Sequence, residues 1–123
     1  MKIKKFVSSS GLDILVGQDD QSNDYLSLRL AKPNDLWFHI SGFPGSHVVL
    51  SVADGDADKE SVMEAAALAA WFSKMLNGKN VAVHYCKARD VSKPGKSKAG
   101  TVNIKKAQKI KVNPHLLDGG EWF

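Results

Sequence analysis

The chain is poor in the residues that define several protein classes. It holds one cysteine, Cys86, among 123 residues. A lone thiol makes no internal disulfide, which excludes a cross-linked secreted scaffold and suits a reducing cytoplasm. No run of about 18 consecutive apolar residues occurs, so no membrane partner is expected. The opening MKIKKFVSSSG puts no apolar run behind its lysines, so no export signal is read there and a soluble cytoplasmic protein is expected. Internal repeats and coiled-coil heptads are absent too. What remains is a chain of ordinary globular composition, 43% hydrophobic and 24% charged. Its length fits one domain, 1–123, able to bury roughly two thirds of its unfolded surface.

The charge is distributed unevenly. Residues 84–112 carry nine Lys or Arg against the single acid Asp90, so that segment is +8 in a chain whose total is +4. Such polarity produces a basic face that attracts polyanions, nucleic acid above all. Lysines that solubilise exposed strand edges would give the same count.

Ile3 to Val7 and Leu12 to Val16 read as an opening hairpin around SSSG, with Gly11 free to take a positive φ. Within Gln18 to Lys32, Ser22 or Asn23 can cap a short helix that Pro33 and Asn34 end. Asp35 to Leu50, DLWFHISGFPGSHVVL, then alternates. Leu36, Phe38 and Ile40 point one way and Trp37, His39 and Ser41 the other; after the FPGS turn Val48, Leu50 and Val52 oppose His47, Val49 and Ser51. Two paired strands are expected. Asp54, Asp56 and Asp58 imitate the start of a calcium loop, but Lys59 and Ala65 stand where glycine and glutamate are needed, so they read as acids before a helix. Glu60 to Asn77, ESVMEAAALAAWFSKMLN, predicts a long Ala-rich helix with Val62, Ala66, Ala69, Phe72 and Leu76 in one stripe and Gly78 as its stop. Asn80 to Cys86 resumes the period of two. A basic loop, 87–100, has a linker's composition; two short strands follow, Gly100 to Ile104 and Lys109 to Val112, and then a loose tail, 113–123.

Set side by side, the strands collect Trp37, His39, His47, His84 and Cys86 on one kind of face. Three histidines and a thiol suit zinc or copper in principle, but no two of these histidines have the short spacing that makes a metal site legible, and no metal or other cofactor is expected. Gly45-Ser46-His47 is no nucleophile elbow, since Ser46 opens a strand instead of joining strand to helix, and no catalytic residue is assigned. Nucleic-acid binding asks for less: cations for phosphates, flat rings for stacking, and small turns that let two backbones approach. Lys87, Arg89, Lys93, Lys96 and Lys98 supply the first, Trp37 and His39 the second if exposed, and the turn at Pro44, Gly45 and Ser46 the third. A buried Trp37 is the competing reading.

With these residues in view, the chain resembles the NFACT-R domain, an RNA-binding module of the NFACT/RqcH/NEMF family of ribosome-associated quality control. The resemblance rests on Asn23, Asp24 and Leu26; on Asp35, Trp37, His39, Pro44, Gly45, Ser46, His47 and Val48; and on EAAALAAWFS, KPG, GTVNI and KIKVNP in that order. It implies contact with tRNA or ribosomal RNA, on the large ribosomal subunit, and no catalytic activity. The family's KPG turn is lengthened here to KPGKSKAG, which favours Lys87 and Arg89 over Lys96 and Lys98 as phosphate contacts. The expected architecture is α+β, a mainly antiparallel sheet packed against one long Ala-rich helix plus a short helix. Trp37, His39, Ser46, His47, His84 and the five cations form the expected RNA surface; Asp24, Asp35, Pro44 and Gly45 support it. Two alternatives stand beside this: an enzyme acting on RNA or a nucleotide through His39 and His47, and a protein-interaction module with a basic face.

Overall fold

The computed structural model describes residues 1–52 and 55–123. Asp54, the first of the three alternating acids, lies outside them. Among the described residues are nine strands: β1 Ile3–Val7, β2 Asp13–Gly17, β3 Leu36–Ile40, β4 Val48–Leu50, β5 Val81–Lys87, β6 Val91–Ser92, β7 Asn103–Ile104, β8 Gln108–Val112 and β9 Glu121–Trp122. Seven form one sheet in the order β8-β5-β3-β4-β2-β1-β9, every neighbouring pair antiparallel; β6 and β7 pair separately. No helix among the described residues is long and apolar enough to cross a membrane.

The expectation of one long helix is overturned. The Ala-rich helix, α2, is Lys59–Trp71, 13 residues, and does not reach Asn77. Asp58 caps its start, its carboxylate accepting from the Ser61 amide at 3.0 Å. Its end is set from outside. The Phe72 carbonyl accepts the Ser46 amide at 2.9 Å, and the Lys74 amide donates to the Pro44 carbonyl at 3.1 Å. Another helical turn gains little over this because propensities differ by only tenths of about 1 kcal/mol per residue, whereas two long-range backbone bonds tie the chain to the turn after β3. Leu76, assigned to the apolar stripe, is consequently 38% exposed.

The second helical segment is comparable in length. An α helix, α1, Asp20–Tyr25, continues as a wider π-type turn, Leu26–Leu30, eleven residues together. Its cap is Asp19, whose Oδ1 accepts from the Ser22 amide at 2.8 Å, and not Ser22 or Asn23. Ser22 is buried and accepts from the Lys2 amide instead.

Both faces of the sheet are covered at its centre, while the α1 side stays open over β8, where Lys109 and Lys111 are exposed. Ile14, Val16, Phe38, Ile40, Val48, Leu50 and Val83 pack against the alanines of α2. On the other side Ile3, Leu15, Trp37, Val49 and Cys86 meet Leu26 and Val91, under α1, the π turn and the β6–β7 pair. This explains why β4 is buried at all three positions: a strand with cover on both sides needs apolar residues at odd and even places alike. The tail is anchored, not loose. β9 pairs with β1, Lys4 opposite Trp122, and the Phe123 amide donates to the Ile3 carbonyl at 2.8 Å.

Candidate nucleic-acid interface

The register places the polar residues of the α1 side in one row. His39 on β3 lies opposite His84 on β5, and His84 lies opposite Lys109 on β8. Phe38 pairs with Val48, so His47 carries the row one strand further. Trp37 sits one step along β3, opposite Cys86 and Val49. The rings close up accordingly: Trp37 to His39 6.0 Å between centroids, Trp37 to His47 5.2 Å, His39 to His47 5.4 Å. Alternation thus brings Trp37, His39, His47, His84 and Cys86 to one side, while access to them differs. Trp37 is 2% exposed and cannot offer a ring face to a base; His47 is buried; His39 and His84 are half-buried.

What holds the buried pair is Ser27, delivered by the π turn. The Trp37 indole N–H donates to Ser27 Oγ at 2.8 Å, and Ser27 Oγ lies 2.8 Å from His47 Nδ1. The His47 amide donates to Asn23 Oδ1 at 3.1 Å. That contact brings α1 so close to β2 that a Cβ on Gly17 would sit 2.1 Å from Asn23 Oδ1, so only glycine fits there. Burial pushes the His47 imidazole down to about 4, helped by neighbouring His39, while Asp24 and the backbone of Gly100 and Asn23 act in the opposite sense. Burial also lowers His39 and His84, the latter assisted by Lys109. The three imidazoles are neutral near pH 7, hydrogen-bonding groups instead of cations. Burial raises the Cys86 thiol to about 11, which makes it unreactive.

The carboxylate of Asp35 accepts from the amides of Lys32 at 2.8 Å and Val52 at 2.9 Å, fixing the entry to β3 and the chain beyond β4. The Ser46 amide is committed to the Phe72 carbonyl. Gly45 crosses Ser73 so closely that an added Cβ would lie 2.8 Å from the Ser73 Cβ and 3.0 Å from Ile40 Cγ2. Pro44, Gly45 and Ser46 line a cleft shared with Asp19, Asp20 and Lys74.

The cations separate into two sets. Lys87 follows Tyr85 in the alternation of β5 and shares a cleft with Leu36, Val62 and Tyr85 on the α2 side, away from His84. The period of two already carried that signal. Lys93 is engaged internally: its ammonium lies 2.9 Å from Asp24 Oδ2 and donates to the carbonyls of Lys98 and, at 2.9 Å, Thr101. Asp24 Oδ1 accepts the Gly100 amide at 3.0 Å. The 93–101 loop is thereby folded against α1 with Gly100 beside His47, and Lys96 and Lys98 are exposed. Arg89, also exposed, donates to Asn34 Oδ1 at 3.5 Å. Sequence reasoning did not single out Lys109 and Lys111, which alternate with Ile110 and share the side of His84 and Ala82. No group of three or more His, Cys, Asp or Glu side chains among the described residues is placed to hold a metal ion.

Comparison with known proteins extends this geometry. A family model described as the NFACT protein RNA binding domain matches residues 2–106. The protein named Rqc2 homolog RqcH of Bacillus subtilis (strain 168) is 40% identical over 112 residues, 91% of this chain and 19% of its own length. Its namesake in Streptococcus suis (strain 05ZYH33) is 36% identical over 114 residues, 92% of this chain and 20% of its own. The chain therefore spans about a fifth of the length of these curated relatives. The structure of the C-terminal part of the fibronectin/fibrinogen-binding protein from Streptococcus suis superposes with a TM-score of 0.89 at 35% identity, over 94% of this chain and 46% of that one.

Proposed function

The chain belongs to the NFACT RNA-binding domain family, and from that premise we propose that RNA binds the sheet face bearing His39 and His84, between the 93–101 loop and β8. The RNA is tRNA or ribosomal RNA, met during ribosome-associated quality control in the cytoplasm, the process to which the relatives named Rqc2 homolog point. One observation carries the reading. The row from His47 through His39 and His84 to Lys109 crosses four strands on a single face, with the cationic loop folded down at one end and Lys111 beside the other. Phosphates then meet Lys96, Lys98, Lys109 and Lys111, while the neutral imidazoles of His39 and His84 hydrogen-bond to sugar or base.

If those four lysines each neutralise a phosphate of single-stranded or loop RNA, the log-log salt slope of the association constant is about −3. Replacing all four with Glu abolishes retention of tRNA or ribosomes while circular dichroism shows the fold intact. Lys87→Glu, on the opposite face, leaves retention unchanged. Undiminished retention by the folded quadruple variant removes the proposal.

A further inference from the structure

Lys93 belongs to the basic segment by sequence but has nothing left to offer a phosphate. An ammonium has three N–H donors. Here they face Asp24 Oδ2 at 2.9 Å and the carbonyls of Lys98 and Thr101. The carboxylate is used on both oxygens as well, Oδ1 accepting the Gly100 amide at 3.0 Å. Gly100 has a φ of +87°, and a Cβ there would lie 2.9 Å from Asp20 Oδ1, so the backbone has been drawn in as far as glycine allows. Inside the loop, Ser97 Oγ donates to the Pro94 carbonyl at 2.8 Å and the Thr101 amide to the Lys98 carbonyl at 3.1 Å. The loop is wrapped around the Lys93 ammonium, whose stem is exposed and whose counterion sits on α1.

We propose that Asp24 and Lys93 form a latch that shapes the basic loop, acting as positioning residues for the RNA surface and not as RNA contacts; this rests on the reading of that face as the RNA site. The latch holds Gly100 against His47 and fixes the loop from which Lys96 and Lys98 project. Its consequence runs against simple electrostatics. Asp24 is an acid beside a surface read as binding a polyanion, so by charge alone its removal strengthens RNA binding. With the latch, removal weakens binding, because ordering the loop is then charged to the association step.

The test uses the whole chain with Asp24→Asn, Lys93→Gln and the double variant, followed by amide hydrogen exchange without RNA and by tRNA affinity at two salt concentrations. Exchange at Gly100 and Thr101 rises about tenfold or more in each single variant while the thermal midpoint barely moves, since a local opening is released without global unfolding. Affinity for tRNA falls roughly three- to tenfold in both, and the double variant is no worse than either single, as for two residues that act as one unit. Tighter tRNA binding by Asp24→Asn, additive losses in the double variant, or unchanged exchange at Gly100 overturns the latch. Failure of the wild-type chain to bind RNA refutes the RNA site alone, and the exchange result still decides whether Asp24 and Lys93 hold the loop.

Discussion

Ser27 is a small residue in a demanding place. One hydroxyl bridges the Trp37 indole N–H and His47 Nδ1, both buried. Ser27→Ala leaves two polar groups without a partner and out of reach of water, at a cost of about 2 kcal/mol in a denaturant titration. His47 carries a pH signature. Its folded pKa of about 4 lies below the unfolded value of about 6.5, so the folded state binds fewer protons. The neutral form's contribution is complete above about pH 6.5 and is lost as pH falls toward 4, by up to about 3 kcal/mol. His39 and His84 are lowered in the same direction and add to the trend. Unfolding free energies measured from pH 7 to pH 4 fall along this course, and His47→Gln flattens it. At this scale the alternation of Trp37, His39 and His47 was readable because a strand's period is fixed. The contacts that Ser27 and Asn23 make with this row were not readable, since the two reach it from a helical segment 10 to 24 residues away and no local pattern announces such a crossing.

Elements end where long-range partners stop them. The sequence pattern of α2 runs to Leu76, and the chain leaves it at Phe72 because the FPGS turn offers Ser46 and Pro44 as backbone partners. The stripe of Val62, Ala66 and Ala69 was legible for what it is, one face against a sheet; its length was set by a turn some 26 residues earlier, which periodicity cannot sense. Gly45 is the hinge of that arrangement. Gly45→Ala drives a methyl into Ser73 and Ile40, destabilising the fold by about 1–3 kcal/mol. Spectra of the variant show the change at residues 72–74 as well as in the turn. A chemical-shift map confined to residues 42–46 would contradict the account.

The whole molecule is a sheet covered on both sides by unequal layers. The α2 layer was visible in the sequence because alanine-rich, periodic segments advertise packing. In the opposite layer the short helix was expected, but its place over Trp37 together with the β6–β7 pair was not legible, because α1 is polar along most of its length and β6 and β7 are two residues each. The contribution of this layer, the π turn included, lies in the apolar side chains lowered onto Trp37 and Cys86: Leu26, Val91, and the partly buried Leu28, Leu30, Ala31, Val102 and Ile104. The basic loop leaves from this thin layer, and a molecule of this design opens there first. Amide exchange of the wild-type chain is expected to show the lowest protection across 91–104 and the highest across β3, β4 and β5.

The pairing of β9 with β1 brings the Phe123 amide within 2.8 Å of the Ile3 carbonyl. The two ends of these 123 residues are thus neighbours on one edge, which lets the unit be inserted into a host protein with little distortion of either partner. A circularly permuted version, closed by a few glycines between Phe123 and Met1 and reopened at the exposed turn near Lys79, keeps the same architecture.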